Sequence, residues 1–151
     1  MKKGILTECI IALLVLLFVY AGSSKLMDMK GFRAGMRLQP FAPWINEMLA
    51  VLLPFTELLI ALGLCFKKTR RPALYTYFLL MLCFTGYTAL VVAGSFTHRP
   101  CGCGGIINHL SWEWHFIINL IFLILSRLSI RMHSRSTLLY NQEVSRKPVR
   151  E

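Results

Sequence analysis

Ile45-Asn46-Glu47-Met48-Leu49-Ala50-Val51-Leu52-Leu53-Pro54-Phe55-Thr56-Glu57-Leu58-Leu59-Ile60-Ala61-Leu62-Gly63-Leu64-Cys65-Phe66 runs directly into Lys67-Lys68-Thr69-Arg70-Arg71-Pro72, and from there into a second apolar stretch at 73–95. Each stretch exceeds the roughly 20 apolar residues that a helix needs to cross a bilayer. The basic hexapeptide between them leaves room only for a tight hairpin. The two helices are therefore antiparallel neighbours. Working outward, two further stretches of similar character lie at 5–21 and 114–130. Hydrophobic residues make up 56% of the 151, and only 16% are charged, too few for a soluble domain of this size. The predicted fold class is all-α: a polytopic membrane protein with a four-transmembrane-helix bundle over 1–131. The remainder, 132–151, reads as a basic cytoplasmic tail, disordered or riding the membrane surface. Lys2 and Lys3 before the first apolar run look like the start of a signal peptide. No small-residue cleavage pattern follows, so the segment reads as a retained span.

The formal net charge of +10 is a topology signal. With the N-terminus inside, Lys2, Lys3, Lys67, Lys68, Arg70 and Arg71 face the cytoplasm, as do Arg127, Arg131, Arg135, Arg146, Lys147 and Arg150 in and after the last span. That makes twelve, against five outside: Lys25, Lys30, Arg33, Arg37 and Arg99. The positive-inside rule then puts both termini in the cytoplasm, and Trp44, Trp112 and Trp114 all fall at outer span ends, where indole rings anchor. Because the basic residues flank spans, they speak for membrane lipid as a partner and against nucleic acid. The long connection at 22–43 carries Leu26, Met29, Phe32 and Met36 at helical spacing, with Asp28, Lys30, Arg33 and Arg37 between them. This predicts a short amphipathic helix in the first outer loop.

Pro100-Cys101-Gly102-Cys103-Gly104-Gly105 joins the third span to the fourth on that same outer side. A disulfide closed across one intervening residue makes a small, strained ring. Strained and exposed disulfides are the labile ones, while relaxed ones staple folds. Cys101 and Cys103 are therefore the candidate redox pair, facing an oxidising compartment if the cell is bacterial. The same residues suit a static clamp. With His98 and His109 they also suit a metal site of two thiolates and two imidazoles, although the one-residue spacing is shorter than zinc sites usually show.

The residues also resemble a family. Tyr20-Ala21-Gly22-Ser23-Ser24-Lys25-Leu26, followed by Asp28 and Phe32, is similar to the opening motif of DoxX-like membrane proteins. Pro54-Phe55-Thr56-Glu57-Leu58 with Gly63-Leu64 resembles their second-span motif. The Cys-Gly-Cys turn, with Trp112 and Asn119 downstream, resembles the methylamine-utilisation MauE branch. Where that branch usually has a Phe after the second cysteine, this chain has Gly104. The resemblance covers all four spans. It implies an inner-membrane protein tied to redox maturation of a periplasmic client, thioredoxin-like or cysteine-rich. In methylamine utilisation that client is the disulfide-rich small subunit of methylamine dehydrogenase.

Three other residues carry chemistry. Glu57 lies near the middle of its span, one turn from Pro54, where a lone carboxylate is expensive and must be neutral or paired. It suits a proton relay, with a membrane quinone as electron acceptor by analogy with other four-helix redox proteins. It equally suits a structural hydrogen bond to Tyr87, Thr88 or Asn119. His115, sharing a helix face with Asn119 just below the outer surface, reads as a base for a thiol or as an interfacial anchor. Lys25 reads as a cation snorkelling to the headgroups, unless it faces the cysteines and lowers a thiol pKa. Glu8 has no assigned role. Cys9, Cys65 and Cys83 lie singly in apolar helices and behave as small hydrophobes. Cys9 and Cys65 share a depth at the inner side, a membrane thickness from Cys101, so a transmembrane thiol relay is disfavoured. Two function classes remain: a thiol–disulfide oxidoreductase or accessory redox factor, and a non-enzymatic scaffold or assembly subunit.

Overall fold

The computed structural model describes the backbone over 2–96 and 111–146, and side chains over 4–96 and 111–134. Five helices follow in order: α1 (Lys2–Met27), α2 (Met29–Arg37), α3 (Pro43–Cys65), α4 (Arg70–Val92) and α5 (Trp112–Arg146). There is no strand among the described residues. Four of the helices are long and apolar enough to cross a membrane, over Gly4–Met27, Pro43–Cys65, Arg70–Val92 and Trp112–Ser134. The protein is a multi-pass membrane protein.

The spans form a ring in which α1 packs on α3, α3 on α4, α4 on α5 and α5 on α1. Each long helix is apolar nearly all round, so burial and not polarity marks the inward face. From α1 that face supplies Ile10, Ile11, Leu14 and Phe18, and from α4 Ala73, Leu74, Tyr77 and Met81, both at helical spacing. Ile60, Ala61 and Leu64 of α3 complete the buried cluster. Phe18 and Tyr77 stack across its middle, ring centroids 4.0 Å apart. The opposite faces leave Leu16, Leu59, Leu79 and Ile124 exposed, as lipid-facing positions should be. Small residues set the closest contacts. A Cβ on Gly63 would stand 3.1 Å from that of Ala73, and Ser126 and Ser129 of α5 are fully buried.

The α3–α4 turn is the expected hairpin, and it caps its own helix. The Thr69 hydroxyl donates to the Gly63 carbonyl at 2.8 Å, and Arg70 Nε donates to the Leu64 carbonyl at 3.2 Å. These carbonyls belong to the last turn of α3, where intrahelical donors run out. Arg70 Nη1 also reaches Glu8 Oε1 at 2.6 Å, which ties α1 to the hairpin. Glu8, for which the sequence suggested no role, thus holds two spans together. At its other end α4 stops at Gly94, whose φ of +71° is the left-handed conformation glycine adopts cheaply.

Several boundaries differ from the sequence reading, and the third span is Arg70–Val92 where 73–95 was expected. The first helix runs on from Ala21 to Met27, because Gly22, Ser23, Ser24 and Lys25 are covered by neighbouring helices and need no water. The amphipathic helix begins at Met29, capped by Asp28, whose Oδ1 accepts from Gly31 N at 2.9 Å. Its buried Phe32 and Met36 pack on Ala50 of α3, so it lies against the bundle. The last helix does not stop near Ile130 but continues to Arg146, carrying most of the expected tail as helical backbone.

Candidate functional site

Two small-residue contacts bring a charged pair into the bundle. Gly22 of α1 sits against α3, where an added Cβ would lie 2.9 Å from Leu58 Cγ and 3.1 Å from the Pro54 carbonyl oxygen. The helices are antiparallel, so Lys25 stands one turn outward of Gly22 and Glu57 one turn inward of Pro54, and each side chain leans back towards its own helix N-terminus, beside the contact. There Lys25 Nζ and Glu57 Oε1 meet at 2.5 Å, with side chains 15% and 1% exposed. The ammonium also lies 5.8 Å from the Phe32 ring centroid and 6.0 Å from that of Phe84. Two ring faces and a carboxylate replace the water that the cation gives up.

This corrects two expectations. Lys25 does not snorkel to the headgroups, because α2 lies across the end of the bundle and closes it over with Phe32. Nor does Glu57 bond to Tyr87, Thr88 or Asn119. The Thr88 hydroxyl donates to the carbonyls of Phe84 and Thr85, and the Tyr87 hydroxyl donates to Gln39 Oε1. Glu57 Oε2 is left buried with no hydrogen-bond partner, and so is the Tyr77 hydroxyl deeper in α4. The carboxylate is charge-paired but not saturated, and it retains a free acceptor facing the interior.

A second group of residues lies at the loop end of the bundle. Tyr87 is its centre. Its ring lies 5.7 Å from that of Phe41, 5.9 Å from Phe96 and 6.2 Å from Trp112. Trp112 in turn stands 6.0 Å from the His115 ring. Buried Asn46 donates to the carbonyls of Gln39 and Phe41, both at 3.3 Å, and so orders the chain between α2 and α3. Phe96 directly precedes the segment 97–110, and Trp112 stands two residues beyond it. Cys101, Cys103, His98 and His109 belong to that segment and lie outside the described residues. Both of its stems pack on Tyr87. Along α4, Tyr87, Phe84 and Tyr77 fall within about 80° of one another at 100° per residue, so one face runs from the loop end past Lys25 towards the Glu57 level.

His115 and Asn119 are both half-buried, as their spacing on one face predicts. Cys9, Cys65 and Cys83 are free and exposed on the membrane-facing surface. The sequence singled out Glu57 but missed its partner. The signal was there in Gly22 three residues before Lys25 and Pro54 three before Glu57, two close-approach positions each one turn short of a charge.

The family model for methylamine utilisation protein MauE matches residues 3–132. The chain belongs to the MauE family. A methylamine utilisation protein MauE from Methylorubrum extorquens is 34% identical to it over 117 residues, 74% of this chain and 62% of the relative. Another, from Paracoccus denitrificans, is 32% identical over 102 residues, 66% of this chain and 55% of the relative. This MauE-family chain thus spans about three fifths of the length of these relatives. No solved structure matches it. The matched region takes in three spans and nearly all of the fourth, the Lys25–Glu57 pair and the cysteine segment.

Proposed function

We propose that this protein supports thiol–disulfide exchange in the redox maturation of a periplasmic client, in a process like the methylamine utilisation for which its relatives are named. It does so from the bacterial inner membrane, with both termini in the cytoplasm and the loop end in the periplasm. Cys101 and Cys103 are the exchanging pair. A thiolate attacks a disulfide sulfur, the other sulfur of that bond leaves as a thiolate, and the second cysteine resolves the mixed disulfide. Two electrons change hands, with two protons when both products are thiols.

The observation that carries this reading is the pair of stems, Phe96 and Trp112, packed on one side chain at the loop end. Those stems bracket in sequence the segment that carries both cysteines, and they stand on the α4 face that leads down to Lys25 and Glu57. His115, half-buried there, is the proposed base for a thiol. Glu57 is the proposed proton relay, since its Oε2 accepts nothing from the protein. At 1% exposure Glu57 is suited to pass a proton and not to touch a ring dissolved in lipid. A membrane quinone is the proposed final electron acceptor, taking two electrons and two protons to become the quinol.

Thiol trapping in cells tests the assignment. Wild type should show a mixture of reduced and oxidised Cys101–Cys103 that shifts with added reductant. Cys101→Ser or Cys103→Ser alone should accumulate a mixed disulfide with the client on a non-reducing gel. A Cys101→Ser/Cys103→Ser protein that matures its client at the normal rate would overturn the reading and leave a scaffold role. Stoichiometric metal in wild type, lost from that double variant, would identify the thiolate–imidazole site instead.

A further inference from the structure

At the hairpin end, α4 and α5 enclose a groove of about 240 Å³ on the membrane-facing side. Tyr75, Phe78, Arg127, Ile130 and Arg131 line it. Arg127 and Arg131 stand four residues apart, about 6 Å along the axis, and so leave the same face of α5 one above the other. Both are exposed, and neither takes part in any of the four ion pairs found among the described residues. Glu8, the acid nearest this end among those residues, is already engaged by Arg70. Lys67, Lys68 and Arg71 are exposed on the same end and add to its positive field.

The position along the helix matters as much as the charge. Arg127 follows Trp112 by fifteen residues, about 22 Å along the axis, which puts its stem near the far boundary of a hydrocarbon core about 30 Å thick. A guanidinium stays charged at any accessible pH, so at that depth it must reach the headgroup layer or bind an anion. Tyr75, 49% exposed, presents an amphipathic ring from the facing helix, as tyrosines at this level do. Phe78 and Ile130 supply apolar wall.

We propose that this groove binds an anionic phospholipid. The lipid phosphate sits between the two guanidinium groups, with the Tyr75 hydroxyl as a further donor, and an acyl chain lies along Phe78 and Ile130. Paired guanidinium groups suit phosphate geometry better than lone ammonium groups do. A soluble phosphate would leave the apolar wall without an occupant. A zwitterionic choline headgroup would bring a cation into a field that is already positive. The site is independent of the thiol chemistry at the other end of the molecule.

Native mass spectrometry of the full chain in a maltoside detergent tests this, with phosphatidylglycerol titrated in and phosphatidylcholine and inorganic phosphate as comparisons. Wild type should retain phosphatidylglycerol in preference to phosphatidylcholine. Arg127→Gln/Arg131→Gln, with helical circular dichroism unchanged, should weaken that retention about 30-fold, and Arg131→Gln alone about fivefold. The single variant decides the matter if the double variant does not fold. Equal retention of both lipids, or undiminished phosphatidylglycerol binding by the arginine variants, would overturn the proposal. So would displacement of the lipid by an equimolar amount of inorganic phosphate, which would make the groove a soluble-anion site.

Discussion

Lys25 on α1 and Glu57 on α3 form an ion pair 2.5 Å long in which the carboxylate side is 1% exposed. The pair spans the contact at which Gly22 and Pro54 bring the two antiparallel backbones together. A buried pair of this kind repays its desolvation only while both members are present. Lys25→Met or Glu57→Leu alone is therefore expected to cost about 3–5 kcal/mol, because the surviving charge has no partner. The double variant should cost much less than the sum, since two apolar side chains can fill the same space. Thermal unfolding of the three purified variants checks this. Strictly additive losses would show that the contact carries no coupling.

Gly22→Ala is expected to destabilise by about 1–3 kcal/mol, as overpacking does, because a backbone oxygen is one of the two groups in its way. Gly86→Ala on α4 is the matched control. Nothing lies within 4 Å of a Cβ there, so helix propensity alone should act and the variant should gain up to about 1 kcal/mol. Melting temperatures that move in opposite directions would bear out the helix contact.

Tyr77 contributes through its ring. The ring stacks on Phe18 at 4.0 Å, while the hydroxyl is buried without a partner. Tyr77→Phe should change stability by less than about 1 kcal/mol, and Tyr77→Ala should cost about 3–5 kcal/mol through the cavity it leaves. A large loss in Tyr77→Phe, measured in the same unfolding assay, would mean that the hydroxyl is bonded to water.

The periplasmic assignment of the loop end has a direct check. After mild reduction of spheroplasts, a membrane-impermeant maleimide should label Cys101 or Cys103, with Cys9, Cys65 and Cys83 labelled only after detergent is added. Labelling of the pair only on lysis would invert the topology and remove the oxidising compartment from the argument.

Arg70 serves two elements at once, capping the Leu64 carbonyl and pairing with Glu8. Arg70→Gln is expected to cost about 1–3 kcal/mol, because it leaves a buried carbonyl to a weaker donor and frees Glu8. Glu8→Gln should cost less than about 1 kcal/mol, since Glu8 is 59% exposed and can be solvated. Similar losses from both would place the whole effect in the ion pair and none in the cap.

Four spans, the α3–α4 hairpin and the amphipathic helix were legible in the sequence. Each rests on a local quantity, an apolar run of bilayer length or a helical periodicity, and neither depends on what the segment touches. Glu57 stood out for the same reason, since a carboxylate inside an apolar run is anomalous wherever the run packs. Its partner was not legible. Thirty-two residues separate Lys25 from Glu57, and only the approach of α1 to α3 decides that the lysine turns inward beneath Phe32. The same holds for Glu8 and Arg70, and for the closing of Phe96 and Trp112 on Tyr87. Helices that are apolar all round carry almost no record of which face is buried, because lipid and protein interior suit the same side chains. Segment identity is thus written locally in this chain, whereas pairing between segments follows from where its few small and polar residues let the helices meet.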